Sequence, residues 1–113
     1  MNHRMSLFGY AFELIKSGQK TVEIRLNDEK RRKLSVGDTI TFEKLDGEQD
    51  RLKVRITALL HFPTFSDLYK NVSFSEMGRA DWSMDKMMEE TYKIYSKDAE
   101  MKYGALAIRI AQI

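Results

Sequence analysis

The sequence predicts an α+β fold, a small mixed β-barrel with helices packed over its open ends. Three observations lead there. At least four segments alternate apolar and polar residues with period two, helical segments of unequal length interrupt them, and 113 residues make a single domain that can bury a core. Unequal insertions do not fit the regular strand-helix-strand repeat of a doubly wound sheet, so a barrel is the better solution. One domain over residues 1–113 is expected, with no internal repeat and no low-complexity linker.

Each element has a local reason. Phe8, Ala11, Phe12, Leu14 and Ile15 recur at helical spacing, and Lys16-Ser17-Gly18 supplies a basic last turn and a glycine stop. From Thr21 the period becomes two: Val22, Ile24 and Leu26 share one face of a strand, and Thr21, Glu23 and Arg25 the other. Asn27-Asp28 reads as a cap for the charged turn Glu29 to Lys33, and Val36-Gly37-Asp38 as a tight turn. A second strand follows, in which Ile40 and Phe42 alternate with Thr39, Thr41 and Glu43.

Leu45 to Asp50 contains a hairpin signal. Beyond it lies the longest strand, with Leu52, Val54, Ile56, Ala58 and Leu60 expected on one face. Pro63, the only proline, ends it, and Thr64 caps a short helix through Tyr69. The stretch from Asn71 to Trp82 is weakly patterned. Ser83 then caps a helix with Met84, Met87, Met88, Thr91, Ile94 and Tyr95 on one face and Asp85, Lys86, Glu89, Glu90 and Lys93 on the other. A closing strand begins at Gly104, with Leu106, Ile108 and Ile110 pointing inward.

Composition narrows the function classes. Nineteen Lys and Arg against 17 Asp and Glu leave a net charge of +2, so any nucleic-acid contact must be local rather than spread over a phosphate-neutralising surface. The absence of Cys excludes a disulfide framework, a thiolate zinc site and a cysteine nucleophile, and fits a reducing compartment. Met1 to Leu7 offers no apolar run for a signal peptide, and no stretch of about 18 apolar residues would span a membrane. A cytoplasmic protein is expected. His3 and His61 lie far apart without Cys or carboxylate neighbours at ligand spacing, so neither a metal nor another cofactor is expected.

Gly18-Gln19-Lys20-Thr21-Val22-Glu23-Ile24-Arg25 resembles the Gly-x-Lys-x-x-Glu-x-Arg signature of the ASCH superfamily, β-barrels related to the PUA domains that bind RNA. The flanking elements follow in the family's order. They are a helix ending in Ile15-Lys16-Ser17-Gly18, then Leu34-Ser35-Val36-Gly37-Asp38, Phe65 behind the long strand, and Lys102-Tyr103-Gly104-Ala105-Leu106-Ala107-Ile108 at the close. The whole resembles a stand-alone bacterial ASCH protein. The resemblance implies about six strands and a cleft beside the signature strand, but three activities: RNA binding, a nuclease, and an amidohydrolase that removes the acetyl group from N4-acetylcytidine.

Residue chemistry sets out the same alternatives. Glu23 and Arg25, two apart on a strand, sit roughly 7 Å apart at Cα and can pair with each other or share a ligand. Ion pairs on a strand face are common and are often structural only. Lys20, beside Gly18 at a helix-to-strand turn, is the hardest to explain by packing. Its ammonium would meet a phosphate or, if desolvated, act as a nucleophile or base. In the amidohydrolase relatives a Lys at the position of Lys20 is the activated group, helped by a Thr two residues before the Arg and by a distant Glu. Glu23 occupies the place of that Thr, and an adjoining carboxylate favours the protonated, non-nucleophilic form of an amine. For the distant acid, Glu76 and Asp81 are the candidates.

Hydrolysis, of an amide or of RNA and without metal, would then rest on Glu23 as base and Lys20 or Arg25 as oxyanion stabiliser. Binding of RNA or a nucleotide-like ligand asks less: Lys20 and Arg25 for phosphate, Glu23 for a base amino group, Gly18 for close approach, and an aromatic on which to stack. Tyr95, Tyr103 and Trp82 are the stacking candidates, with Tyr103 preferred and core packing as the ordinary alternative for each. Lys30-Arg31-Arg32-Lys33 is commonly a solvated face, though its closeness to the signature keeps it as a phosphate patch. A barrel serving only structure or protein interaction, its ion pairs merely holding the fold, is the third reading.

Overall fold

The computed structural model describes all residues, 1–113. Five strands and four helices form in the order β1 (Asn2–Leu7), α1 (Gly9–Lys16), β2 (Val22–Leu26), β3 (Thr39–Lys44), β4 (Arg51–Phe62), α2 (Phe65–Asn71), α3 (Met84–Ile94), α4 (Lys97–Tyr103) and β5 (Ala105–Gln112). A 3-10 turn at Arg31–Lys33 separates β2 from β3. The strands make one mixed sheet, β1-β3-β4-β5-β2, with β1 and β3 parallel and the other pairs antiparallel. The α+β barrel-like fold expected from the sequence is therefore present, built from five strands where about six were anticipated. Because β1 and β2 form no ladder with each other, the curled sheet is a half-barrel with a seam between them.

Local signals behave as their chemistry requires. Thr64 and Ser83 accept the backbone N–H groups of Asp67 and Lys86 at the starts of α2 and α3. Asp28 caps the 3-10 turn by accepting from the Arg31 N–H at 3.1 Å. Gly18 turns the chain after α1 at φ +82°, where a side chain would be strained. The first turn of α1 lacks a side-chain cap of its own, and Asp46 of the β3–β4 turn accepts the Gly9 N–H instead.

Two cores lie on opposite sides of the sheet. Inside the curl, Met5, Phe12, Ile40, Phe42, Ile56 and Ile108 pack together with Leu106 and Ile110, the inward set expected for β5. Outside, α2 and α3 cover β2 and β5 through Phe65, Leu68, Met87, Val22, Ala105 and Ala107.

The long strand departs from simple alternation. A register shift between Ile56 and Ala58 inserts an extra residue, after which Leu59 lies opposite Ile108 and Leu60 opposite Ala107. Leu60 consequently joins the outer core, and Leu59 replaces it against the inner one, since one residue of slip exchanges the two faces. That bulge lets one strand serve both cores. In α3 the expected apolar stripe is only partly covered: Met87 and Thr91 are buried, whereas Met84 and Ile94 are exposed. No helix is long and apolar enough to cross a membrane.

Two elements escape a reading of the sequence. β1 carries only Met5 and Leu7 as a period-two pair among polar residues, and α4 spans less than two turns. The Ser96 hydroxyl, which accepts the Ala99 N–H at 3.0 Å, is the available signal for α4.

Candidate functional site

The signature residues meet at the seam. Lys20 is held as the chain leaves α1: its N–H donates to the Leu14 carbonyl, and it bridges to Met77. The Glu76 carbonyl accepts from both Thr21 and Val22, so the 71–82 segment is docked against the start of the signature strand.

Glu23 is only 4% exposed. Its Oε1 accepts from Lys20 Nζ at 3.0 Å and from the Ile24 N–H at 3.2 Å, and its Oε2 from Arg25 Nε at 2.8 Å. Arg25 Nη2 in turn donates to the Ser6 carbonyl of β1 at 2.8 Å, spanning the gap that no strand pairing closes. Burial by itself would raise the Glu23 carboxyl, but the charges of Lys20 and Arg25 and their hydrogen bonds outweigh it and hold the group below the usual glutamate range. Burial likewise works against the Arg25 cation, and Glu23 more than offsets it.

A cleft of about 510 Å³ opens above this triad, within the size range of small-molecule sites. Its lining carries five cations, Lys20, Arg25, Lys30, Arg31 and Arg79, against two carboxylates, Glu23 and Glu90. A chain of net charge +2 has thus gathered positive charge at one place. Glu23 has both oxygens engaged, while Lys20 and Arg25 retain unused N–H donors.

Other expected residues fall elsewhere. Gly18 is not in the lining, and a Cβ built on it would meet nothing within 4 Å, so its role is the turn. Tyr103 also lies outside the cleft, where its hydroxyl donates to Glu29 at 3.2 Å and Arg32 stacks on its ring at 5.5 Å. The basic cluster divides: Lys30 and Arg31 line the cleft and Arg32 does not. Glu76 turns its carboxylate to Arg109 at 3.5 Å, and neither it nor Asp81 reaches the lining. Of the remaining stacking candidates, Tyr95 and Trp82 do line it.

Sequence reasoning misses Tyr10, Arg79 and Glu90. Helical periodicity puts Glu90 on the solvent face of α3; in the structure it lines the cleft while pairing with Lys93 at 3.0 Å. Tyr10 and Arg79 give no local signal, because only the docking of the 71–82 segment beside α1 brings them together.

A curled α+β sheet with a cation-lined cleft at its open seam defines a half-barrel domain. The chain belongs to the ASCH domain family, whose model matches residues 5–113. It is similar to the crystal structure of hypothetical protein PH0355, with a TM-score of 0.88 and 32% identity over 100% of both chains. It is similar also to the solution NMR structure of protein PF0455 from Pyrococcus furiosus, with a TM-score of 0.79 and 32% identity over 100% of this chain and 98% of that one. The crystal structure of ASCH from Zymomonas mobilis matches with a TM-score of 0.62 and 17% identity, covering 96% of this chain and 66% of that one, a likeness of fold. No curated protein matches the sequence.

Proposed function

We propose that the seam cleft binds RNA or a nucleotide-like ligand through Lys20 and Arg25. The observation that carries this reading is the buried Glu23 carboxylate clamped between two cations, which leaves their spare donors at the floor of a cleft rich in positive charge. Such an arrangement orients cations for a phosphate or a base carbonyl. Glu23 holds the cations in place instead of contacting a base amino group.

The test is a thermal-shift screen of the purified chain against nucleosides, nucleotides and short single-stranded RNAs, with Lys20→Ala in parallel. Stabilisation by one class, weakened by salt and lost in the variant, is expected. No stabilisation by any of them would overturn the reading.

Hydrolysis is the alternative supported by one distance, the 3.0 Å between Lys20 Nζ and Glu23 Oε1. The lowered carboxyl of Glu23 makes it a weak general base near neutrality, which favours binding. Turnover of N4-acetylcytidine or a short RNA without added metal, abolished by Lys20→Ala, would replace the binding reading with the hydrolytic one.

A further inference from the structure

Aromatic residues around the cleft fall into two sets. Tyr69 and Tyr95 belong to the outer core and stack on Phe65, with ring centroids 6.3 and 5.3 Å away. Phe65 takes one face of each. Tyr10, by contrast, is 57% exposed on α1, and Trp82 is half-buried at the end of the docked segment, yet both line the cleft.

What joins them is Arg79. Its guanidinium carbon lies 4.9 Å from the Tyr10 ring centroid and 4.5 Å from that of Trp82, and its side chain makes no ion pair or hydrogen bond within the chain. A guanidinium is flat, cationic and weakly hydrated, and it occupies aromatic faces that a planar base can also occupy. Phe8, 54% exposed and also in the lining, stacks on Tyr10 at 6.2 Å with the rings 7° from parallel, extending the aromatic surface along the rim.

Resting on the nucleotide-binding reading, we propose that Tyr10 and Trp82 form the stacking subsite for the base of a 5′-phosphorylated nucleotide, free or within single-stranded RNA, and that Arg79 is the placeholder the base displaces. The base brings a π face to the two rings, and its phosphate lies within a lining of cations. Once displaced, Arg79 keeps all its donors for that phosphate. The weakly patterned 71–82 segment thereby gains a role, since it carries both the placeholder and one of the two rings.

Trp82 is the only tryptophan, so its emission reports directly on the subsite. The full chain is titrated with adenosine 5′-monophosphate, ribose 5-phosphate and a short oligoadenylate, following emission and thermal stability, beside Tyr10→Ala and Tyr10→Phe. Tyr10 is exposed, so both variants should fold, which their thermal melts would check. The expected result is quenching by the nucleotide and not by ribose 5-phosphate, affinity roughly tenfold weaker in Tyr10→Ala, and wild-type affinity in Tyr10→Phe. Tighter binding of the oligoadenylate would identify RNA as the source of the base; equal binding would identify the free nucleotide. Stabilisation by the nucleotide with unchanged emission and no effect of Tyr10→Ala would overturn the stacking subsite while leaving the cleft as a binding site. Neither stabilisation nor quenching by any probe would overturn both.

Discussion

Replacing Glu23 by Gln tests the centre of the seam with one atom changed. The amide keeps the volume but removes the charge that Lys20 and Arg25 share, and it directs an N–H₂ group at one of two cations. Removing one member of a buried ion pair costs about 3–5 kcal/mol because the other charge is left uncompensated. The Lys20 and Arg25 side chains retain 14% and 15% exposure, so water reaches them and the lower end, about 3 kcal/mol, applies. For a chain of this length that corresponds to a fall in Tm of roughly 12 °C at pH 7. The assay is a thermal melt of both proteins from pH 7 to pH 3. The Glu23 carboxyl is held below its unfolded value, so its stabilisation is present above the ordinary glutamate pKa of about 4.3 and is lost as pH falls through the lowered folded value. The gap between wild type and Glu23→Gln should therefore be widest near neutrality and close in acid. A gap that is absent at pH 7, or that does not narrow in acid, would refute the electrostatic account. Adding Lys20→Met to Glu23→Gln should recover part of the loss by removing one stranded charge.

Three further outcomes follow from the packing. Gly104 sits at φ +78°, and a Cβ there would come within 2.7 Å of the Phe62 carbonyl oxygen, so Gly104→Ala should lower the urea-unfolding free energy by about 2 kcal/mol or more; an unchanged midpoint would contradict this. The buried carboxylate of Glu100 accepts from the Phe65 N–H at 2.7 Å and the Tyr92 hydroxyl at 2.8 Å, so Glu100→Ala strands both donors and should cost about 2 kcal/mol in the same experiment. Arg25→Lys keeps the charge but loses the forked reach to Ser6, so hydrogen exchange should speed up at the β1 amides more than at those of β4.

The parts of this protein legible in the sequence are those set by near neighbours. Val22 and Glu23 fall on opposite faces because strand geometry alternates, Gly18 ends α1 because a positive φ suits glycine, and Thr64 and Ser83 cap helices because their hydroxyls reach N–H groups three residues on. The order Gly18, Lys20, Glu23, Arg25, with the flanking elements in sequence, indicated a family and placed Glu23 and Arg25 on one strand with Lys20 just before it. What tertiary structure alone decided is the state and company of those groups. Period two does not reveal that the bulge after Ile56 would move Leu60 to the other core, because the extra residue is fitted only when β5 pairs across it. Nor does it reveal that Glu23 would be buried beside an Arg25 that reaches across the seam to Ser6. Tyr103 lies outside the cleft, whereas Trp82, also a stacking candidate, lines it together with Tyr10; these two stand 72 positions apart in sequence and meet through Arg79 only because the 71–82 segment folds back beside α1. Local rules place a side chain on a face, and the long-range docking of segments determines what that face meets.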